Sequence, residues 1–249
     1  MLENRVIPCL QLMGTNLVKT VKFGKYAYIG DPLNTCRIFN ELEVDEMVLL
    51  DIRATLLHKE PNFHYLNYLT NECFMPLAYG GGIKCVEDAS KLFRIGFEKI
   101  IINSALYQNI NLITEIADLY GSQSIIASVD VKKDMLGRYN VYSNSGRKKE
   151  KVDLFEWLHC LENAGVGEIL LTNIAMEGTW KGFDYELLKS VSRELSVPLI
   201  VHGGAGCKKD VEDAVNICGA SAVGLGSMVV FQQKGMGVLV NYQRNYDFK

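Results

Sequence analysis

Three features of this sequence predict an α/β fold, a single closed (βα)8 TIM barrel with a half-barrel internal repeat. Eight short apolar runs alternate with longer segments of helical period. The runs are nearly continuous in Val, Ile and Leu, as in parallel strands buried on both faces. The second half of the chain also repeats the first.

In chain order, the strands are expected at 6–11, 46–51, 75–79, 99–103, 124–130, 168–173, 198–201 and 222–226. Helical segments include 32–43, 86–95, 112–119, 154–164, 185–192 and 210–217. Eight β-then-α units without a Pro/Ser-rich linker favour a closed parallel barrel. A doubly wound sheet would carry GxGxxG after its first strand, and none is there. The repeat pairs Glu46-Met-Val-Leu-Leu-Asp51 with Glu168-Ile-Leu-Leu-Thr-Asn173, and Met75-Pro-Leu with Val197-Pro-Leu. It pairs Val-Glu-Asp-Ala at 86–89 with the same four residues at 211–214, and Ile102-Asn-Ser with Leu225-Gly-Ser. The matches come in order at about half the chain length, so one domain over 1–249 divides into half-barrels of about 1–120 and 121–249.

Composition narrows the function. The 249 residues are 48% hydrophobic and 22% charged, with a net charge of −3, ordinary values for a core-forming globular protein. That balance argues against nucleic-acid or membrane-surface binding. The basic runs Arg147-Lys148-Lys149 and Lys208-Lys209 are short and read as solvated loops. The amino terminus lacks a signal-peptide pattern, and no stretch approaches the roughly 18 apolar residues of a membrane span. Seven scattered cysteines without a CxxC pair read as reduced thiols, most of them small buried hydrophobes, in a cytoplasmic protein with no metal and no cofactor.

In such barrels the chemistry sits at the carboxyl ends of the strands. Four turns lie there: Gly80-Gly81-Gly82, Asn103-Ser104, Gly203-Gly204 and Gly226-Ser227. Glycine lets backbone N–H groups approach an anion, or it simply tightens the turn. Gly82, Asn103 and Ser104 in one half, with Gly204, Gly226 and Ser227 in the other, suit two facing phosphate sites. A long substrate with a phosphate at each end fits that spacing. The polar strand ends are Gln11, Asp51, Asp130 and Asn173. A carboxylate there can act as general acid or base, whereas Gln11, opposite Asp130 in the repeat, has no titratable proton. Asp51 either serves the site or caps its loop. At the opposite end Arg5, Glu46, Lys99 and Glu168 all start strands. They form either a ring of ion pairs closing the floor or separate charges at a solvated rim.

These residues carry a resemblance over nearly the whole chain. Arg5-Val-Ile-Pro-Cys, Lys19, Gly80-Gly-Gly-Ile, Ile102-Asn-Ser-Ala, Gly165-Val-Gly-Glu-Ile-Leu-Leu-Thr and Gly203-Gly-Ala-Gly resemble the HisF-type cyclase subunit of imidazole glycerol phosphate synthase. The resemblance implies a HisH-like glutaminase docked on the floor and an ammonia path through the barrel. Its gate would be Arg5, Glu46, Lys99 and Glu168. Lys19 matches the lysine of a mobile loop over the site, and Asp130 one of two catalytic aspartates. Glu98 and Gln123, near the floor, are expected at the partner interface by position.

The departures fall at the chemistry. Gln11 replaces the second catalytic aspartate, Arg53 a small hydroxyl residue, and His202 a serine. The acidic-residue-then-Asp-Gly stretch reads Ala175 and Glu177-Gly178. Val18-Lys-Thr-Val-Lys-Phe, Tyr28-Ile-Gly-Asp-Pro, Arg37-Ile-Phe-Asn-Glu and Glu72-Cys-Phe-Met-Pro-Leu look like the paralogues found with bacterial surface-polysaccharide pathways. There the resemblance implies delivery of ammonia to an ATP-dependent sugar amidotransferase that turns an acetamido into an acetamidino sugar. A phosphorylated or sugar-nucleotide ligand is compatible with the top face. The alternatives are an active cyclase–lyase of histidine biosynthesis and a phosphosugar-binding or isomerase barrel without a glutaminase.

Overall fold

In a computed structural model of the chain, which describes residues 4–248, the eight apolar runs close into one barrel. Strand β1 (Arg5–Met13) continues past the barrel mouth and turns at Gly14 into an antiparallel hairpin, β2 (Asn16–Thr20) and β3 (Tyr26–Gly30). Helix α1 (Pro32–Glu41) follows, then β4 (Met47–Asp51), α2 (Phe63–Thr70), β5 (Leu77–Gly80), α3 (Val86–Arg94), β6 (Lys99–Ile102) and α4 (Asn111–Tyr120). The second half opens with β7 (Ile125–Lys133), which also runs on into a hairpin, β8 (Tyr139–Ser143) and β9 (Lys148–Lys149). Then come α5 (Leu154–Asn163), β10 (Glu168–Asn173), α6 (Tyr185–Glu194), β11 (Leu199–His202), α7 (Lys208–Asn216), β12 (Ala222–Leu225) and α8 (Ser227–Val230). The barrel order is β1, β4, β5, β6, β7, β10, β11, β12, all parallel. Pairings such as Thr172 with Asp130 and Val6 with Val223 close it.

Two-residue periodicity sorts each strand. Ile7, Val48, Ala78, Ile101, Ile126, Leu170, Ile200 and Ala222 fill the barrel interior. Their neighbours, such as Val6, Leu49, Ile100, Ile169 and Val201, pack outward under the helices. Both faces are therefore apolar, which is why the strands read as continuous runs. Extending the inward parity places Arg5, Lys99 and Glu168 below the apolar layer. It places Cys9, Ser128, Thr172 and His202 above that layer, with Gln11 and Asp130 at the mouth.

Local chemistry explains the element ends. Asp31 caps α1, accepting the Asn34 N–H at 2.9 Å ahead of Pro32 at the first helical position. Asp153 and Asp184 cap α5 and α6 in the same way. The strand expected from 75 begins at Leu77, because Pro76 has no N–H and contributes only its carbonyl, to Met47.

Three expectations are corrected. Both hairpins, 16–30 and 139–149, depart from the expected pattern, since their mixed polar and apolar residues form no continuous apolar run. The Val-Glu-Asp-Ala match is out of register in space. Cys85 and Cys207 precede α3 and α7, and the Lys84-to-Asp88 bond (2.9 Å) recurs as Gly206-to-Asp210 (2.8 Å). Val86 is thus equivalent to Lys208, not Val211. The slip of three residues is close to one helical turn, so the same face stays buried. Finally, only Cys9, Cys36 and Cys218 are buried, whereas Cys85, Cys160 and Cys207 are exposed. No helix among the described residues is long and apolar enough to cross a membrane.

Candidate functional site

The barrel mouth holds a cavity of about 350 Å³, within the range of small-molecule sites. Asp130 lies on its wall, 6% exposed, and accepts a hydrogen bond from the Asn103 Nδ2 at 2.8 Å. Burial pushes its carboxyl up to about 7, against the opposing pull of Asn103. His202 is also buried; its ring Nδ1 lies 3.3 Å from the Thr172 hydroxyl, and burial lowers it to about 3. It is a neutral imidazole at physiological pH. The cavity therefore combines a carboxyl poised near neutrality with an uncharged ring.

Asp130 carries a testable consequence. Its carboxyl titrates near 3.8 when solvated and near 7 when folded. Between those values the native state binds more protons than the unfolded state, so the group's stabilising contribution is full near pH 4 and lost as the pH rises through 7. Asp130→Asn is expected to raise the Tm at pH 8 and to change it little at pH 4. The swing should be on the order of 4 kcal/mol before local rearrangement. Equal Tm shifts at both pH values, in paired melts, would remove the buried-acid assignment.

Gln11 sits at the other symmetric place and is fully engaged. Its Oε1 accepts the Thr20 N–H at 2.8 Å and its Nε2 reaches Glu177 Oε1 at 3.4 Å. An aspartate here would set a carboxylate against the wholly buried Glu177. Glu177 binds the Lys19 ammonium directly and also accepts from the Thr20 hydroxyl (3.0 Å) and the Phe23 N–H (3.1 Å). Lys19 is 4% exposed, and its ammonium also donates to the Thr20 carbonyl at 2.8 Å. Burial pushes this lysine down, while the contacting carboxylate works to keep it charged. The loop after β10 thus clasps the first hairpin. Gly178, at φ +72°, is needed for the fit, because a Cβ there would stand 2.6 Å from the Thr20 carbonyl. Expected on a mobile loop, Lys19 lies instead within strand β2, buried.

The two glycine-turn pairs are not equivalent. Gly81 (φ +129°), Gly82 (φ +76°), Asn103 and Ser104 line the cavity, although Ser104 Oγ also accepts the Asn144 N–H at 3.0 Å. Gly204, Gly226 and Ser227 instead border a crevice of about 10 Å³, room for about one water. Lys19 lies over it: a Cβ on Gly226 would stand 2.7 Å from its Cε.

The remaining polar strand ends divide between loop and site. Asp51 Oδ1 accepts the Arg53 and Ala54 N–H groups at 2.9 and 3.0 Å, which makes it a loop cap, although it also borders the cavity. Asn173 turns away from the cavity, bonding the Ala175 N–H (3.0 Å) and Asp184 (3.3 Å). Arg53 lines the mouth, and so does Arg147, although its short basic run reads as a solvated loop. Thr172 and Ser128 line it too and were also missed; their inward parity on predicted strands was the available signal.

At the floor the four charges meet in one ring. Arg5 bonds Glu46 at 2.6 Å and Glu168 at 2.5 Å, and Lys99 bonds the same two at 3.0 and 2.6 Å. Each cation bridges both acids. Burial alone would raise the Glu168 carboxyl, but Arg5 and then Lys99 hold it below the usual range. Directly above lies the apolar layer headed by Ile7, Ile101 and Ile126. Glu98 and Gln123 are exposed near the same end.

Eight parallel strands closed around an apolar interior, with a polar cavity at one end and a ring of charges at the other, define a single (βα)8 barrel protein. Within that class, the chain belongs to the family described as Histidine biosynthesis protein, matched over residues 5–234. It is 47% identical over 242 residues to a Pseudomonas aeruginosa protein provisionally named imidazole glycerol phosphate synthase subunit hisF2, covering 97% of this chain and 96% of that one. A Vibrio vulnificus protein provisionally named subunit hisF3 is 43% identical over 246 residues, covering 97% and 94%. The imidazole glycerol phosphate synthase subunit HisF of Streptococcus sanguinis is 36% identical over 211 residues, covering 85% and 84%.

Proposed function

We propose that this HisF-like subunit acts chiefly as an ammonia conduit. It would receive ammonia from a HisH-like glutaminase on its floor and pass it through the barrel to an acceptor-modifying partner above. One contrast carries the reading: the floor keeps a closed ring of four charges, while position 11 offers no titratable group and is tied to Thr20 and Glu177. Lys99, pairing with both acids, is the natural gate. Ammonia is small and uncharged and passes an apolar layer that ammonium would find costly. Ser128, Thr172 and His202 then offer it hydrogen bonds on the way to the mouth. The acceptor we favour is an acetamido sugar, converted to an acetamidino sugar by an ATP-dependent amidotransferase of surface-polysaccharide biosynthesis. The two relatives with numbered, provisional names stand nearer in identity, at 47% and 43%, than the Streptococcus subunit at 36%.

The test is to give the purified barrel ammonium salt and the imidazole-pathway substrate. Without the second acid–base group, turnover is expected to fall about 10²–10⁴ below a cyclase carrying both. Turnover at an ordinary cyclase rate would sink the conduit reading.

A second reading, an active cyclase–lyase of histidine biosynthesis, draws on Asp130, whose carboxyl near 7 suits proton transfer at neutral pH. It requires the gene to rescue a histidine auxotroph lacking its own cyclase. Failure by a well-expressed protein would count against it.

A further inference from the structure

The two-phosphate ligand suggested by the repeat does not suit this cavity. One glycine cradle opens into it and the other is filled by the protein itself. Around the open cradle, Arg53 comes from the loop after β4 and Arg147 from the turn between β8 and β9. Both are exposed, and neither is among the salt bridges of the described residues. Two arginines from separate loops, set beside a turn with two left-handed glycines, form a cationic clamp on a concave wall. The nearby carboxylates offset it only in part, Asp51 through its electrostatic interaction with Arg53. Asp51 is turned onto backbone N–H groups of its own loop, and Asp130 bonds Asn103.

The closed cradle has its own charge arrangement. The Lys19 side chain crosses Gly226, and its ammonium is already neutralised by the wholly buried Glu177. A phosphate entering there would have to displace a lysine bonded to a buried carboxylate, and would then meet that carboxylate unpaired.

We infer that the mouth cavity binds a ligand anionic at one end only, its phosphate-type group held by Arg53, Arg147 and the Gly81–Gly82 turn, while Lys19 serves as a built-in occupant of the second cradle. The neutral part of such a ligand lies across the cavity against Phe23 and Tyr26. The site therefore gains nothing from a second phosphate, and holds monophosphorylated sugars, or compounds with one terminal anionic group, as tightly as doubly phosphorylated chains. This goes beyond the conduit reading and is separable from it, since passing ammonia needs no anion in the cavity.

Calorimetric titration of the full chain at physiological salt tests the inference, with ribose 5-phosphate and ribulose 1,5-bisphosphate as probes. Both are expected to bind once per chain, with dissociation constants within about fivefold of each other. In the Arg53→Gln/Arg147→Gln double variant both should weaken about tenfold or more. These arginines are exposed, so folding should be unaffected, and a matching melting curve checks it. A bisphosphate preference above about fivefold, unchanged binding in the double variant, or no binding of either probe by the wild-type protein would each overturn the one-ended site.

Discussion

Lys99→Ala is expected to leave the barrel folded but to uncouple glutamine hydrolysis from use of the ammonia. In the wild-type floor, Lys99 Nζ bonds both Glu46 oxygens and Glu168 Oε1. Removing it leaves Arg5 as the sole bridge between the two acids, with an opening where the side chain stood. Solvent then gains access from the floor, and ammonia leaks. In a complex reconstituted with a glutaminase and the ammonia-consuming partner, free ammonium per glutamine hydrolysed should rise severalfold. The stability loss should stay near 1–3 kcal/mol, below the roughly 3–5 for breaking a fully buried pair, because Arg5 remains and the ring is partly solvated. Coupling indistinguishable from wild type, with the complex still assembled, would remove Lys99 as the gate.

Lys19→Met is expected to produce the largest stability loss of any single charge removal in this chain. It leaves Glu177, wholly buried, with only the Thr20 hydroxyl, the Phe23 N–H and the Gln11 amide as partners. Breaking such a pair costs about 3–5 kcal/mol, which at about 2–4 °C per kcal/mol for this size of chain is a large fall in Tm. The double variant Lys19→Met/Glu177→Gln should recover most of that loss, because the stranded charge goes with its partner. Thermal or urea unfolding of the three proteins measures it. A loss below about 1 kcal/mol for the single variant would mean that the clasp between hairpin and loop contributes little.

The two experiments address opposite ends of one barrel. If uncoupling and destabilisation both occur, the floor controls passage and the mouth is held by an internal ion pair. Position 11 then makes physical sense as an amide. It donates to Glu177 where an aspartate would repel it, and the clasp would be weakened.

Local patterning was enough to determine a good deal about this protein. Continuous Val/Ile/Leu runs placed all eight barrel strands, and the strand ends and starts placed Asp130 at the mouth and Arg5, Glu46, Lys99 and Glu168 at the floor. These follow from periodicities of two and 3.6 that the backbone imposes wherever both faces of a strand are buried. Only the tertiary structure decided how the long side chains settle. The sequence could not tell that Lys19 would fold back over Gly226 to meet Glu177, a residue far along the chain. Nor could it tell that Arg147 would reach the cavity from a hairpin with no apolar signature. Whether two charges meet or a cradle stays open depends on desolvation and contact across the fold, and neither leaves a mark in local sequence. The repeat makes the point most directly: its two halves look alike as strings, yet one glycine cradle is open and the other is filled.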